Sequence, residues 1–493
     1  MFRELKKYLG GLFAATTPAV WVLLALALGA AIIVLPRPSN RKDTMKLWLF
    51  NKMHQQVYVT VAEDWNRAQP TPATEVETIL LANAALERRL LSGFMSGTPV
   101  AELVETERFV GAKTFTGPLE DIGFMDITDR LREEGLLDAI NGPSFAPWTS
   151  RGRIFGIPHD VHPVLLVYRS DIIEAAGIDL TKVETWAEFF NALRPLMVDE
   201  DGDGRPERYP LNFWATQTQI LEQLLLQGDG TLFDAQERPR LDSERNAFLL
   251  STIATWCGGP GRVVVDAPEF TAPGNTLKLR GTVLASLMPD WLGGIWKSDL
   301  PDLAGKLKLM PLPAWEKGGR RTSVIGGTML GIPKTTRDFE ASWAFAKRLY
   351  LDRETHMKFF AKTTIIPPVK ASWSDPVFST PDPYFSGQIS GQLFIAQAAN
   401  VPARTSSPYN EMAIARLSDV LIALVERVNR EQISDPAILL PDARERVAAA
   451  QARVRKLIER NVFLREESAA VSAADPLPGS VSAPPVSGGS RVP

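Results

Sequence analysis

Short apolar runs alternate with helical patterns along most of this chain, and this alternation constrains its fold most strongly. The runs MKLWLFN and VHPVLLVYR are typical of buried strands. The segment ETWAEFFNALRPL has Thr185, then Glu188 three residues later, and large apolar side chains at a helical period, which predicts a helix with a capping box. Strands that alternate with helices indicate an α/β fold.

The composition excludes several classes of function. The chain has 493 residues, 45% of them hydrophobic and 23% charged, so it can build lobes with separate cores. A net charge of -3 with scattered basic residues argues against nucleic-acid binding. The single cysteine, Cys257, excludes an intrachain disulfide. The chain lacks a P-loop, a dinucleotide-binding glycine fingerprint, a helical HExxH motif and a GxSxG elbow, so we expect no enzyme.

The N-terminal segment predicts a membrane anchor. No charged residue occurs from Tyr8 to Pro36, and as a helix this run is long enough to cross a hydrocarbon core of about 30 Å. It ends without a small-x-small pattern, which favours an uncleaved signal anchor over a removed signal peptide. Residues 1–44 are therefore expected to form a cytoplasmic stub, a transmembrane helix and a linker. Residues 468–493, rich in Ser, Ala, Pro and Gly, are expected to be disordered.

The acidic loop DEDGDGRPERYP has the spacing of a calcium-binding loop. Carboxylates alternate at positions 1, 3 and 5, and Gly204 stands at position 6. Pro210 stands at position 12, where an EF-hand has a bidentate glutamate, so a further ligand must come from elsewhere. We expect a structural calcium site, with a solvated acidic loop as the alternative. Its ligands would be Asp199, Asp201, Asp203, Arg205 through its carbonyl, and Glu207.

Spaced motifs follow one another in a definite order. GRIFGIPHDVHPVLLVYRSDIIEAAGIDLTKVETWAEFFNAL contains a Gly-x-Pro strand, Tyr-Arg-x-Asp, Ala-Gly-Ile-Asp and a Thr-Trp-x-Glu-Phe helix. GTVLASLMPDWLGGIW follows, and KLKLMPLPAWEKGGRRTSVIGGTMLGIPKTTRDFEASWAFAKRL adds Pro-Leu-Pro, a glycine pair, Ile-x-Lys and a segment similar to Ala-Trp-x-Phe. From about 45 to 377 this order resembles that of the extracellular solute-binding proteins of ABC importers, the maltose-binding-like group.

The resemblance implies a two-lobed, periplasmic-binding-protein-like fold of type II, with a hinge and a cleft between the lobes. The N-lobe would comprise 45–160 with 320–375, and the C-lobe 161–319 with 376–467. It further implies a carbohydrate ligand that is delivered to ABC transporter permease subunits. With the anchor, the binding domain would lie on the extracytoplasmic side of a bacterial cytoplasmic membrane. A sensory or scaffolding receptor of the same fold is the alternative, and a carbohydrate-active enzyme is a third.

The stretch MPDWLGGIW supplies the first candidates for the cleft. Asp290 and Trp291 fall where an apolar strand should end, before a predicted Gly-Gly turn, and strand ends are where α/β folds bind ligands. A tryptophan ring packs on the C–H face of a sugar, and a carboxylate accepts hydrogen bonds from its hydroxyls. The alternatives are core packing for tryptophans, structural hydrogen bonds for histidines and a strand bend for the glycine pair. The other candidates are Asn51, His54, Glu107, His159, Asp160, Trp214, Gly326, Gly327 and Thr328.

Overall fold

The computed structural model describes residues 44–69, 71–234 and 236–461, with scattered positions between 17 and 29. The chain divides into one unit of Met1–Thr44 with Pro70–Ala73 and another of Met45–Gln69 with Thr74–Pro493. All elements named below belong to the second unit. Within the described residues, no helix is both long enough and apolar enough to cross a membrane. The predicted anchor lies largely, and the predicted tail wholly, outside the described residues, so both stay predictions.

Two sheets form the centres of two lobes. The strands are β1 (Met45–Leu49), β2 (Val76–Leu80), β3 (Leu103–Glu107), β4 (Thr149–Ser150), β5 (Arg153–Ile154), β6 (Ile157–Pro158), β7 (Val164–Arg169), β8 (Leu211–Asn212), β9 (Val264–Val265), β10 (Ala285–Pro289), β11 (Leu307–Pro311) and β12 (Thr328–Gly331). The first sheet has the strand order β2-β1-β3-β12-β6, in which β1 is parallel to β2 and β3, and β12 is antiparallel to β3 and β6. The second sheet has the order β10-β7-β11, with both outer strands antiparallel to β7.

Helices cover both sheets, as the alternation of patterns predicts. The longest ones, near the C-terminus, pack on the second lobe. The helices are α1 (Lys52–Ala68), α2 (Asn83–Ser96), α3 (Arg108–Lys113), α4 (Thr128–Glu133), α5 (Leu136–Ala139), α6 (Gly142–Phe145), α7 (Ser170–Ile173), α8 (Trp186–Leu193), α9 (Thr218–Gln227), α10 (Glu244–Cys257), α11 (Ala272–Arg280), α12 (Asp290–Asp299), α13 (Phe339–Tyr350), α14 (Arg353–Thr363), α15 (Ser390–Ile395), α16 (Asn410–Glu431) and α17 (Leu440–Ile458).

Local signals in the sequence are confirmed at α8. The Thr185 hydroxyl accepts a hydrogen bond from the Glu188 backbone N at 3.3 Å, and the Glu188 carboxylate accepts one from the Thr185 backbone N at 3.1 Å. These are the two bonds of the predicted capping box. The apolar stripe of α8 is buried, so it fixes the helix on the second lobe: Trp186, Phe189, Phe190 and Leu193.

The predicted Gly-Gly turn after Trp291 is wrong. Gly293 and Gly294 lie within α12, which begins directly after β10. A Cβ on Gly294 would lie 2.7 Å from the backbone O of Thr363, and one on Gly293 would lie 3.1 Å from the Thr364 hydroxyl. The glycines therefore let α12 approach the end of α14 closely, which a turn signal read from sequence alone does not distinguish.

Three segments cross between the sheets, and together they form the hinge: 159–163, 312–327 and 364–367. Pro163 and Val324 form an antiparallel bridge that ties the first two segments together. The backbone N of Val161 donates a hydrogen bond to the O of Ile366 at 3.1 Å, and this bond ties the third segment to the first. The lobe boundaries expected from the sequence, near 160, 319 and 375, stay predictions. Because the crossings are paired, the lobes can move mainly by bending here.

Trp291 lies where the apolar cores of the two lobes meet. The core beneath the first sheet includes Leu47 and Leu330, and the cores of the second lobe include Leu166 and Met288. Trp291 is partly buried and packs against all three of these clusters. The platform candidate from the sequence thus occupies the junction of the lobes.

Candidate functional site

A row of buried polar side chains begins in the first lobe. His54 Nδ1 lies 2.9 Å from Glu105 Oε1, and the Tyr350 hydroxyl donates to Glu105 Oε2 at 2.8 Å. The His54 ring stacks on His159, with ring centroids 4.9 Å apart. Asn51 caps α1 by accepting from the backbone N of Met53 at 2.8 Å. Asn51 and His54 thus hold the end of β1 and the start of α1 in place through structural hydrogen bonds.

The same row continues through the hinge into the second lobe. Asp160 Oδ2 lies 3.3 Å from His159 Nδ1 and 2.9 Å from His162 Nε2. His162 Nδ1 lies 2.7 Å from Asp290 Oδ1, at the first residue of α12. The backbone N of Thr328 donates to Asp160 at 3.2 Å, which adds the start of β12. Asp160 therefore brings His159 and Thr328 together, and His162, which is not among the predicted site residues, links Asp160 to Asp290.

The charges of this row depend on one another. Burial disfavours the charged form of His162, but Asp160 and Asp290 outweigh it and raise the pKa of His162 to about 9. Burial also opposes the charge of Asp160, yet His162 and His159 hold the pKa of Asp160 well below its usual value. Burial lowers the pKa of His159. His162 is consequently a buried cation between two carboxylates at the hinge.

An aromatic surface borders the hinge beside this row. The Trp291 indole N–H donates to the O of Ile325 at 3.3 Å. The Phe270 ring lies nearly parallel to it, with centroids 6.2 Å apart and an interplanar angle of 15°. Phe270 is 63% exposed, which is unusual for a large apolar side chain. The sequence analysis missed this residue because it lies in an irregular segment that has no apolar period. Trp291 and Phe270 can together offer flat faces to a ligand.

Gly326 and Gly327 allow the backbone to pass close to these side chains. Their φ angles are 88° and 116°, in the region that favours glycine. A Cβ on Gly326 would lie 2.9 Å from both His162 Cδ2 and Trp291 Nε1. The glycine pair is thus part of the junction between the lobes, beside Trp291.

Two arginines that sequence reasoning missed lie on the other side of the glycine pair. Arg108, the first residue of α3, makes a two-pronged ion pair with Glu222 of α9, with N–O distances of 3.0 and 2.6 Å. Both side chains are buried, and α3 and α9 belong to different lobes. Arg404 donates to the O of Gly326 at 2.7 Å. No local pattern links residues 108, 222 and 404, so only the fold reveals them.

The remaining predicted cleft residues have local structural contacts. The Glu107 carboxylate caps α3 by accepting from the backbone N atoms of Phe109 and Val110, both at 3.3 Å. Burial raises the pKa of Glu107. Trp214 is partly buried against the core of the second lobe, with the Arg262 guanidinium 5.3 Å from its ring centroid.

The acidic loop brings part of the predicted calcium ligand set together. Oxygen atoms of Asp199, Asp201 and Glu207 lie within 4.8 Å of one another, whereas Asp203 is not in this group. The Asp203 carboxylate instead accepts from the backbone N of Arg205 at 2.8 Å. Carboxylate oxygens at this spacing suit a hard cation such as Ca²⁺. Calcium binding here stays a prediction.

Two lobes joined by paired crossings, with aromatic and charged side chains at their junction, define a two-lobed ligand-binding protein. The sequence model of the family described as "Bacterial extracellular solute-binding protein" matches residues 54–354, more than half of the chain. The chain belongs to this family, which confirms the family expected from the order of motifs.

Relatives and solved structures agree with this assignment. The chain is 24% identical to the arabinooligosaccharide-binding protein of Bacillus subtilis (strain 168) over 338 residues, which cover 66% of this chain and 74% of that protein. It is 24% identical to the protein of that name from Halalkalibacterium halodurans, over 82% of this chain and 88% of that one. The sugar-binding protein MalE from Xanthomonas citri has a TM-score of 0.66 and 18% identity, covering 84% of this chain and 99% of that one. This likeness shows the fold.

The buried cation at the hinge predicts a specific dependence of stability on pH. Because the pKa of His162 is raised from 6.5 to about 9, its contribution is complete below pH 6.5 and is lost as the pH rises through 9. Between these values the free energy of unfolding of the wild type should fall, relative to His162→Gln, by on the order of 3 kcal/mol. Urea unfolding at several pH values measures this difference.

His356→Gln is the matched control. His356 is also buried, but burial lowers its pKa to about 4, so it is neutral throughout this pH range. The control should therefore keep the pH dependence of the wild type even if it is less stable. A wild-type curve parallel to that of His162→Gln between pH 6.5 and 9 would contradict the account.

Proposed function

We propose that this protein captures a sugar or oligosaccharide between its lobes and delivers it to the permease of an ABC transporter. The observation that carries the proposal is the aromatic surface of Trp291 and Phe270 at the junction of the lobes. Flat apolar rings bind the C–H faces of sugars, and the neighbouring polar groups can bind hydroxyls. The similarity to arabinooligosaccharide-binding and lactose-binding proteins supports a saccharide as the ligand class.

Capture requires the lobes to separate. In the structure the lobes are in contact through the Arg108–Glu222 ion pair and through a hydrogen bond from the Ser406 hydroxyl to the O of Thr149. A ligand that contacts both lobes stabilises the closed state only by its differential affinity for that state. The ligand therefore replaces or adds to contacts between the lobes, and no bond of the saccharide needs to change. The groups described serve binding, so we propose no enzymatic activity.

The location and the partners form part of the same proposal. The family is extracellular, which supports a binding domain on the extracytoplasmic side. The apolar run from Tyr8 to Pro36 would hold this domain at the cytoplasmic membrane as a single-pass anchor. Tethering keeps the domain close to a permease at a high effective concentration. The permease would contact the closed lobes and open them to release the saccharide.

Replacing the aromatic surface should weaken saccharide binding. In isothermal titration of the full-length protein with arabinooligosaccharides and lactose, we expect Trp291→Ala to lower the affinity for the saccharide that binds by about 10-fold or more, because it removes the stacking face. Phe248→Ala is the control, since Phe248 is a 39% exposed aromatic residue of α10 whose ring lies against Arg245 and not against Trp291. Equal affinities for the wild type and Trp291→Ala would exclude this surface from the site.

The acidic loop is proposed to bind calcium as a structural ion. If Asp199, Asp201 and Glu207 hold Ca²⁺ in the folded state, chelation by EDTA should lower the melting temperature and added Ca²⁺ should restore it. Asp201→Asn should abolish this response, whereas Asp302→Asn, in the 3-10 helix Pro301–Leu303 and not a member of this carboxylate group, should retain it. A melting temperature that EDTA leaves unchanged would identify a solvated acidic loop.

A further inference from the structure

The positive charge of Arg404 is buried and has no directly bonded carboxylate among the described residues. Its side chain is only 8% exposed. Among the described residues it donates a single hydrogen bond, from Nη1 to the O of Gly326, although a guanidinium has five N–H donors. Burying an arginine without a carboxylate partner costs free energy that proteins seldom spend on packing alone.

The carboxylates nearest to Arg404 are bonded to other groups. Glu222 uses both oxygens on Arg108. Glu107 accepts from the first backbone N–H groups of α3, and Asp160 accepts from His159, His162 and Thr328. In the described part of the chain, therefore, no carboxylate accepts a hydrogen bond from Arg404.

The side chain of Arg108 begins on the same side of the glycine pair. A Cβ built on Gly327 would lie 3.0 Å from Arg404 Nη2 and 3.9 Å from Arg108 Cβ, so both side chains flank one position of the backbone. Burial, and then the charge of Arg108, lower the pKa of Arg404 to about 9, which agrees with a cation that its surroundings do not neutralise.

Arg404 also spans the two lobes. Val401, three residues earlier, belongs to an apolar core of the second lobe, whereas Gly326 leads into β12 of the first sheet. When the lobes separate, the Arg108–Glu222 pair must break, because Arg108 and Glu222 lie on α3 and α9 in different lobes. Separation of the lobes would therefore leave Arg108 without its carboxylate partner, close to Arg404.

We propose that the protein is specific for saccharides that carry a carboxylate, such as oligosaccharides of uronic acids, and that Arg404 binds the carboxylate. The inference rests on the proposed function and narrows it, since arabinooligosaccharides and lactose, after which the relatives are named, carry no carboxylate. A planar guanidinium binds a carboxylate through two parallel hydrogen bonds. The carboxylate of the ligand supplies the counter-ion that Arg404 lacks. It also replaces Glu222 as the anionic partner of Arg108.

The test compares charged and neutral forms of the same ligand on the full-length protein. Isothermal titration uses trigalacturonate and a xylo-oligosaccharide bearing glucuronic acid, each also as its methyl ester, with arabinooligosaccharides and lactose as neutral saccharides. We expect an acidic form to bind at least about 10-fold more tightly than its ester. Arg404→Gln should remove this preference, so that acid and ester bind this variant with equal affinity. Arg430→Gln, on the exposed face of α16, should behave as the wild type.

Each outcome decides between the two proposals. Equal binding of acid and ester, or tight binding of the neutral saccharides alone, would overturn the carboxylate proposal while supporting a saccharide-binding function. Binding of no saccharide would overturn both. If Arg404 only stabilises the fold, Arg404→Gln lowers the affinities for acid and ester by the same factor, and the preference for the acid remains. Should Arg404→Gln fail to fold, Arg404→Lys keeps the charge but loses the two-pronged bond, and it should reduce the preference for the acid in part.

Discussion

The salt bridges of His162 with Asp160 and Asp290 are the interaction on which the rest of the site depends. They join the first hinge segment to the start of α12, and so set the position of Trp291, whose backbone N donates to Asp290 at 2.8 Å. Asp290 also accepts a hydrogen bond from the backbone N of Ile366 at 2.7 Å. This bond attaches the third hinge segment to the start of α12. A buried ion pair is seldom the most stable solution, but it specifies one arrangement. Here that arrangement orients the aromatic surface toward the junction.

Besides the apolar contact at Trp291, charged and polar groups join the two lobes, and the buried Arg108–Glu222 pair is one of them. Polar contacts of this type can be exchanged for contacts to a polar ligand, whereas an apolar interface would have to be exposed to water when the lobes open. The protein therefore combines a rigid apolar interior in each lobe with a junction suited to reversible closure.

The sequence predicts the elements of this fold better than it predicts the site. The capping box at Thr185 and the apolar stripe of α8 are local signals, and the structure confirms them. The order of spaced motifs predicts the family, which the match over residues 54–354 confirms. By contrast, Arg108, Glu222 and Arg404 come from distant parts of the chain and follow no period. The prediction of a Gly-Gly turn was wrong because the close packing of α12 on α14 requires glycine, as a tight turn also does.

Closure of the lobes on a saccharide is most directly tested by a distance measurement between them. Spin labels at Met95→Cys in the first lobe and Lys182→Cys in the second would report it, since Met95 is 90% exposed, the Lys182 side chain is 83% exposed, and the native Cys257 is buried. The account predicts a broad distribution that includes longer distances without ligand, which shifts to the distance of the structure when a saccharide binds. Identical distributions with and without a saccharide that calorimetry shows to bind would contradict it.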